Sequence, residues 1–166
     1  MMSTEIKRIL FATDMSRNSY FAFKYAVAMA KMSGAEIYEL HVVEPLSDDA
    51  RITLTIFVQD EKEREKALAS RATPAKEEFK KRIDQFWKDM PAEDQKVRKQ
   101  VVSAEVVEGH VADQILSYAQ ANHCDIIVLG AHQHGISHTF LGSTAKRVLR
   151  RARIPTLVVP FNEETA

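Results

Sequence analysis

Apolar positions recur along this chain with two periods, one belonging to buried strands and one to helices. "RILFATD" (residues 8–14) is a short apolar run that ends in Thr13 and Asp14, which predicts a buried parallel strand rather than a half-exposed one. In the stretch that follows, Tyr20, Phe23, Val27 and Ala30 share one helical face. Ser16 or Asn18 stands where a helix cap belongs, and Gly34 stands where a helix C-terminal glycine sits. "AEIYELHVVEP" reads as a second strand stopped by Pro45. Residues 1–45 therefore form a strand–helix–strand unit, whose crossover is expected to be right-handed.

Residues 46–100 follow a looser pattern. "RITLTIFV" alternates Ile52, Leu54, Ile56 and Val58 and looks like a strand, yet it runs into the charged "QDEKEREKALASRA". Periodicity alone leaves that piece open. Beyond Pro74, Phe79, Ile83, Phe86, Trp87 and Met90 form one apolar helical stripe that ends before Pro91. This stripe is read as core packing, and the charge run before it as a solvated helix face.

The alternation of strand and helix resumes after residue 96. "VRKQVVSAEVVEG" is strand-like, and "HVADQILSYAQANH" sets Ala112, Ile115, Leu116 and Ala119 on one helical face. "CDIIVLG" is a buried strand ending in glycine. "GSTAKRVLRRAR" places Ala145, Val148, Leu149 and Ala152 on one face, and "IPTLVVP" closes the pattern as a strand. Five strands with helices between them predict an open, doubly wound, parallel α/β sheet. No repeat or linker divides the chain, so residues 1–166 are expected to be a single domain, with the looser helical segment at about 46–100.

Composition narrows the class further. The chain is 45% apolar and 28% charged, an ordinary soluble balance. Its 23 basic residues equal its 23 acidic ones, so no overall charge recommends a nucleic acid or an anionic membrane. No stretch approaches the ~20 apolar residues of a membrane span, and the first apolar run is too short for a signal peptide core. The single cysteine, Cys124, excludes an intrachain disulfide and fits a reducing cytoplasm. It is read as a buried or half-buried thiol.

Candidate chemistry gathers in "LGAHQHGISHTFLGST", residues 129–144. In doubly wound sheets, ligands bind outside the carboxyl ends of the strands. Two strand ends here are suited to that: Thr13-Asp14, and Gly130, which leads on to "GSTAKR". A glycine and two hydroxyls at a helix N-terminus offer backbone N–H groups and a positive dipole end to an anion. The plain alternative is that Ser143 or Thr144 only caps the helix. His132, His134 and His138 suggest a transition metal, but no nearby Cys or carboxylate completes a ligand set. Donation to phosphate or ribose by His132, and simple solvation, are the other readings. His41 is read as a strand residue satisfied by a neighbour, and His110 and His123 as structural. The basic run Lys146, Arg147, Arg150, Arg151 and Arg153 complements a helix dipole, or contacts phosphates or an acidic partner.

The order "ILFATD…S", "LHVVEP", "EG…A..IL..A", "DIIVLG" and "GSTAKRVLRRARIPTLVVP" resembles the universal stress protein family over nearly the whole chain. The resemblance implies strand order 3-2-1-4-5 and a Rossmann-like sheet. It also implies a homodimer paired through the last strand, here Pro155 to Pro160. In one branch it implies ATP between the first and fourth strands, with Mg or Mn held through its phosphates. Matching that branch, Gly130 takes the first glycine position, and Gly142 with Ser143 takes the closing pair, followed by Thr144. Asp14, after Thr13, matches the aspartate near adenine, and Val42 a valine lining the base pocket. Ala131, His132 and Gln133 fall in the triphosphate loop. Gln133 stands where the second glycine belongs, and eight residues rather than nine separate it from Gly142; Gly135 stands two positions later and is a candidate to replace that glycine.

Three functions remain open on these residues. One is an ATP-binding stress or signalling module with little or no turnover. A second is a non-binding dimeric stress protein acting through its surfaces, favoured by Gln133 and the shortened loop. The third is a weak ATPase or nucleotidyl transferase, for which "FATDMSRNS" supplies no general base or signature histidine pair.

Overall fold

The computed structural model describes residues 4–69, 71–131 and 141–161. Chain order is β1 (Arg8–Thr13), α1 (Arg17–Ser33), β2 (Glu36–Val43), α2 (Asp48–Phe57), α3 (Glu61–Ala69) and α4 (Ala72–Asp89). There follow α5 (Ala92–Gln95), a 3₁₀ turn (Lys96–Gln100), β3 (Val101–Glu108), α6 (Val111–Ala121), β4 (Ile126–Gly130), α7 (Ser143–Arg151) and β5 (Thr156–Val159). The strands make one five-stranded sheet in the order β3-β2-β1-β4-β5, and every pairing is parallel. This is the doubly wound sheet and the strand order expected from the sequence.

The central strand is apolar because helices cover both its faces: Ile9, Leu10 and Phe11 are fully buried. On one face, Ile9, Phe11 and Ile37 pack under α1 and α4, where Phe23, Val27, Phe79, Ile83, Phe86 and Trp87 complete the core. The stripe from Phe79 to Met90 is thus core, as its period indicated. On the other face, Leu10, Leu40, Val42, Ile127 and Leu129 pack under Ala112 and Ile115 of α6 and Ala145 and Val148 of α7. Ser16 caps α1 by accepting from the Ser19 amide, and Gly34 ends it in the left-handed conformation at φ 72°.

Two readings left open are decided and two others are corrected. "RITLTIFV" is not a strand: its residues lie in α2 and the Val58 that ends it, because Ser47 caps that helix and Asp48 and Asp49 occupy its positive first turn. Residues 96–100 form a 3₁₀ turn, so β3 starts only at Val101. Leu149 lies 44% exposed instead of sharing the inner face of α7, since that helix buries only the narrow Ala145–Val148 line. The residue capping α7 is Gly142, not Ser143 or Thr144.

Candidate functional site

The strands β1, β2 and β4 end together at one edge of the sheet, and a cavity of about 460 Å³ opens there. That volume is in the range of small-molecule sites. It lies where the winding reverses, between β1, whose crossover runs to β2, and β4 on its other side.

At the β1 end, Thr13 and Asp14 lead into a tight turn at Met15, whose φ of 64° is unusual for a side-chain-bearing residue. Polar contacts hold this turn. The Met15 amide donates to Thr13 Oγ1 at 2.9 Å, and the Ser16 amide donates to Asp14 Oδ1 at 2.9 Å. Ser19 Oγ donates to the same carboxylate oxygen at 3.1 Å. A serine has one hydroxyl proton, so in the 2.8 Å contact between Thr13 Oγ1 and Ser19 Oγ the donor is Thr13. Asp14 is thereby oriented at the start of α1, where its charge meets the positive helix end.

At the β2 end, Leu40, His41, Val42 and Glu44 line the cavity. His41 Nδ1 lies 2.8 Å from the Thr13 carbonyl oxygen. A carbonyl only accepts, so Nδ1 carries the proton and the histidine crosslinks the ends of β2 and β1. Phe79 stacks on the His41 ring with 6.1 Å between centroids. His41 is satisfied by a neighbour, as read from the sequence, and it also lines the site.

At the β4 end, Leu129, Gly130 and Ala131 line the cavity together with Gly142, Thr144 and Ala145. The Gly142 amide donates to the Ala131 carbonyl at 2.7 Å, which fastens the start of α7 to the end of β4. Gly142 caps α7 without a side-chain hydrogen bond. Among the described residues, a side chain at Gly130 would meet only the Asn18 carbonyl at 3.9 Å, an ordinary contact. Packing among these residues therefore does not demand glycine at 130.

Electrostatics distinguish the helix ends that reach the cavity. The α1 N-terminus is occupied by Ser16 and the Asp14 carboxylate. The α7 N-terminus carries no acidic residue in its first turn and no capping side chain. An anion thus gains more at α7, where a macrodipole end is worth ~0.3–1 kcal/mol before hydrogen bonds are counted.

Of the residues selected from the sequence, Thr13, Asp14, Val42, Gly130, Ala131, Gly142 and Thr144 line this one cavity. Ser143 opens α7 beside it. His132, Gln133, His134, Gly135 and His138 lie outside the described residues. The sequence reading missed Met15, Ser16, Ser19, Leu40, Glu44, Val111, Ile115, Leu129 and Ala145. The period of β2, which puts residues 40, 42 and 44 on one face, was the signal available for two of them. Among the described residues, no group of three or more His, Cys, Asp or Glu is placed to hold a metal ion. Cys124 is buried, and burial pushes its thiol up to about 11, so it stays protonated near neutrality.

A doubly wound sheet with a glycine-lined cavity at its switch point defines an open α/β protein with a ligand-sized site at the carboxyl ends of its strands. Residues 5–160 match the model of the Universal stress protein family, and the chain belongs to that family. Universal stress protein MJ0531 of Methanocaldococcus jannaschii is 32% identical over 154 residues, 92% of this chain and 81% of that protein. Among solved structures, hypothetical protein MJ0577 superposes with a TM-score of 0.71 at 22% identity, covering 95% of this chain and 98% of its own. A universal stress protein in complex with cAMP aligns at TM-score 0.60 and 18% identity, over 93% of this chain and 97% of that one. A universal stress protein from Archaeoglobus fulgidus in complex with dAMP aligns at 0.53 and 17%, over 95% and 99%. At these identities the solved structures establish the shared fold.

Proposed function

We propose that the cavity at the ends of β1, β2 and β4 binds an adenine nucleotide, with ATP as the principal ligand, and that the protein is a stress or signalling module with little or no turnover. The observation that carries this reading is the start of α7. Gly142 caps it without a side chain, beside a glycine at 130 that packing does not require. That arrangement suits phosphate oxygens, which need close backbone approach and N–H donors. The cavity volume and the cAMP and dAMP complexes of structurally similar proteins support adenine nucleotides as the class.

In this reading Gly130, Ala131, His132, Gln133, Gly142, Ser143 and Thr144 are the phosphate-binding residues, while Thr13, Asp14 and Val42 serve the base and sugar. Mg or Mn enters through the phosphates, which are hard oxygen ligands. Asp14 serves recognition rather than proton transfer, since its Oδ1 is committed to Ser16 and Ser19. The working form is a cytoplasmic homodimer paired through the last strand, Pro155 to Pro160, without a nucleic acid or membrane partner.

Heat-denaturing the purified protein and analysing the released small molecules tests the assignment, followed by calorimetry with ATP. Gly142→Val should weaken ATP binding at least about a hundredfold, because two or three charge-assisted contacts of ~1.5–3 kcal/mol each are lost. Absence of ATP heat from the wild-type protein favours the alternative, a family member acting through surface contacts alone.

A further inference from the structure

The cavity is electrically asymmetric across the sheet. Its two lining carboxylates, Asp14 and Glu44, belong to the ends of β1 and β2. Its glycines and the start of α7 belong to the β4 side, and β1 separates β2 from β4. Adjacent strands lie about 4.8 Å apart, so the two ends of the cavity are about 10 Å from each other. Phosphates are drawn to α7 and repelled by the acids. A nucleotide bound here would therefore be oriented with base and sugar over β1 and β2.

Two local constraints place Glu44 on the cavity side. Leu40 and Val42 point toward the α6 face of the sheet, where they pack with Ala112 and Ile115. The residue before a proline is held extended, and Pro45 follows, so the alternation of β2 continues one step to Glu44. The backbone is also tied at this point: Arg71 Nη2 donates to the Glu44 carbonyl at 3.2 Å. Glu44 is an exposed residue, and its carboxylate only accepts hydrogen bonds when ionised. The ribose of a nucleotide offers its adjacent 2′- and 3′-hydroxyls as a pair of donors, and phosphate oxygens offer none.

We propose that Glu44 accepts hydrogen bonds from the ribose hydroxyls of the bound nucleotide and selects ribonucleotides over 2′-deoxyribonucleotides. The proposal rests on the nucleotide reading above and adds to it the sugar. A hydrogen bond to a charged group corresponds to roughly ten- to a hundredfold in affinity.

Calorimetry with ATP and 2′-deoxy-ATP on the full chain tests this, using wild type, Glu44→Gln and Glu44→Ala. The wild type should prefer ATP by at least about tenfold. Glu44→Ala should reduce that preference to near unity, and Glu44→Gln, which keeps one acceptor oxygen, should fall between. Both ligands carry the same triphosphate, so any general gain from removing a carboxylate cancels in each ratio. Equal wild-type affinities, or a preference that survives Glu44→Ala, overturn the role of Glu44 while leaving nucleotide binding standing. No heat with either ligand in the wild type overturns both.

Discussion

The indole Nε1–H of Trp87 donates to Oε1 of Glu39 at 3.0 Å, and both side chains are sealed in the core between β2 and α4. Burial pushes the Glu39 carboxyl up to about 7. The Trp87 hydrogen bond and the Arg98 guanidinium pull it down, and Asp84 adds to the rise. Arg98 and Asp84 also pair with each other at the edge of this cluster. In the unfolded chain Glu39 returns to an ordinary carboxylate value near 4.5. Between about pH 4.5 and 7 the native state thus holds a proton that the unfolded state has released. The Glu39 contribution to stability is therefore greatest at acid pH and is lost as pH rises to 7. At ~1.4 kcal/mol per pH unit the full loss is on the order of 3 kcal/mol. Urea unfolding at pH 5.5 and 8 should show this decline for the wild type and a much smaller one for Glu39→Gln.

Gly130→Ala should separate binding from folding. Among the described residues the new methyl group finds only the Asn18 carbonyl at 3.9 Å, so the unfolding free energy should change by less than about 0.5 kcal/mol. The same methyl group faces the proposed phosphate path, and ATP affinity should fall by about tenfold or more. Paired calorimetry and urea titration check both halves; a destabilised variant with unchanged affinity contradicts the account.

Gly109→Ala should do the reverse. Its φ of 152° lies where side chains are strained, and an added Cβ would sit 2.6–2.9 Å from three side-chain atoms of Gln114. The Gly109 amide also donates to the Val43 carbonyl at 3.0 Å, which anchors the turn into α6. A loss of ~1–3 kcal/mol is expected, visible as a lowered Tm, with Gln114→Ala in the same chain restoring part of it.

Homodimer formation through the last strand is the fourth expectation. β5 lies at one edge of the sheet with β4 as its neighbour. Its residues Thr156, Leu157 and Val158 are only partly buried in the single chain, so its outer edge is a pairing template unless another chain covers it. Light scattering at tens of micromolar protein should give twice the chain mass of 18.8 kDa; a monomer at that concentration rules the arrangement out.

Local pattern in the sequence was enough for the framework. The apolar runs at residues 9–12 and 126–129, the Ser16 cap, the Gly34 stop and the stripe from Phe79 to Trp87 all acted as their chemistry dictates. Each depends on near neighbours along the chain, and so each could be read one residue at a time. Glycine with hydroxyls before a helix likewise marked the start of α7, and a short motif placed most of one cavity wall. What lay beyond was decided by contacts between distant segments. "RITLTIFV" has a strand's period, yet Ser47 caps it as a helix with Asp48 and Asp49 in its first turn. Glu39 would be assigned to solvent from its type alone; it is buried because Trp87, 48 residues away, brings a donor to it. His41 and Thr13, 28 positions apart, are joined by one hydrogen bond across the strand ends. Sequence carries burial period and capping chemistry because these act over one or two turns, whereas which buried polar group meets which partner depends on strand order and helix docking, and those exist only once the chain has folded.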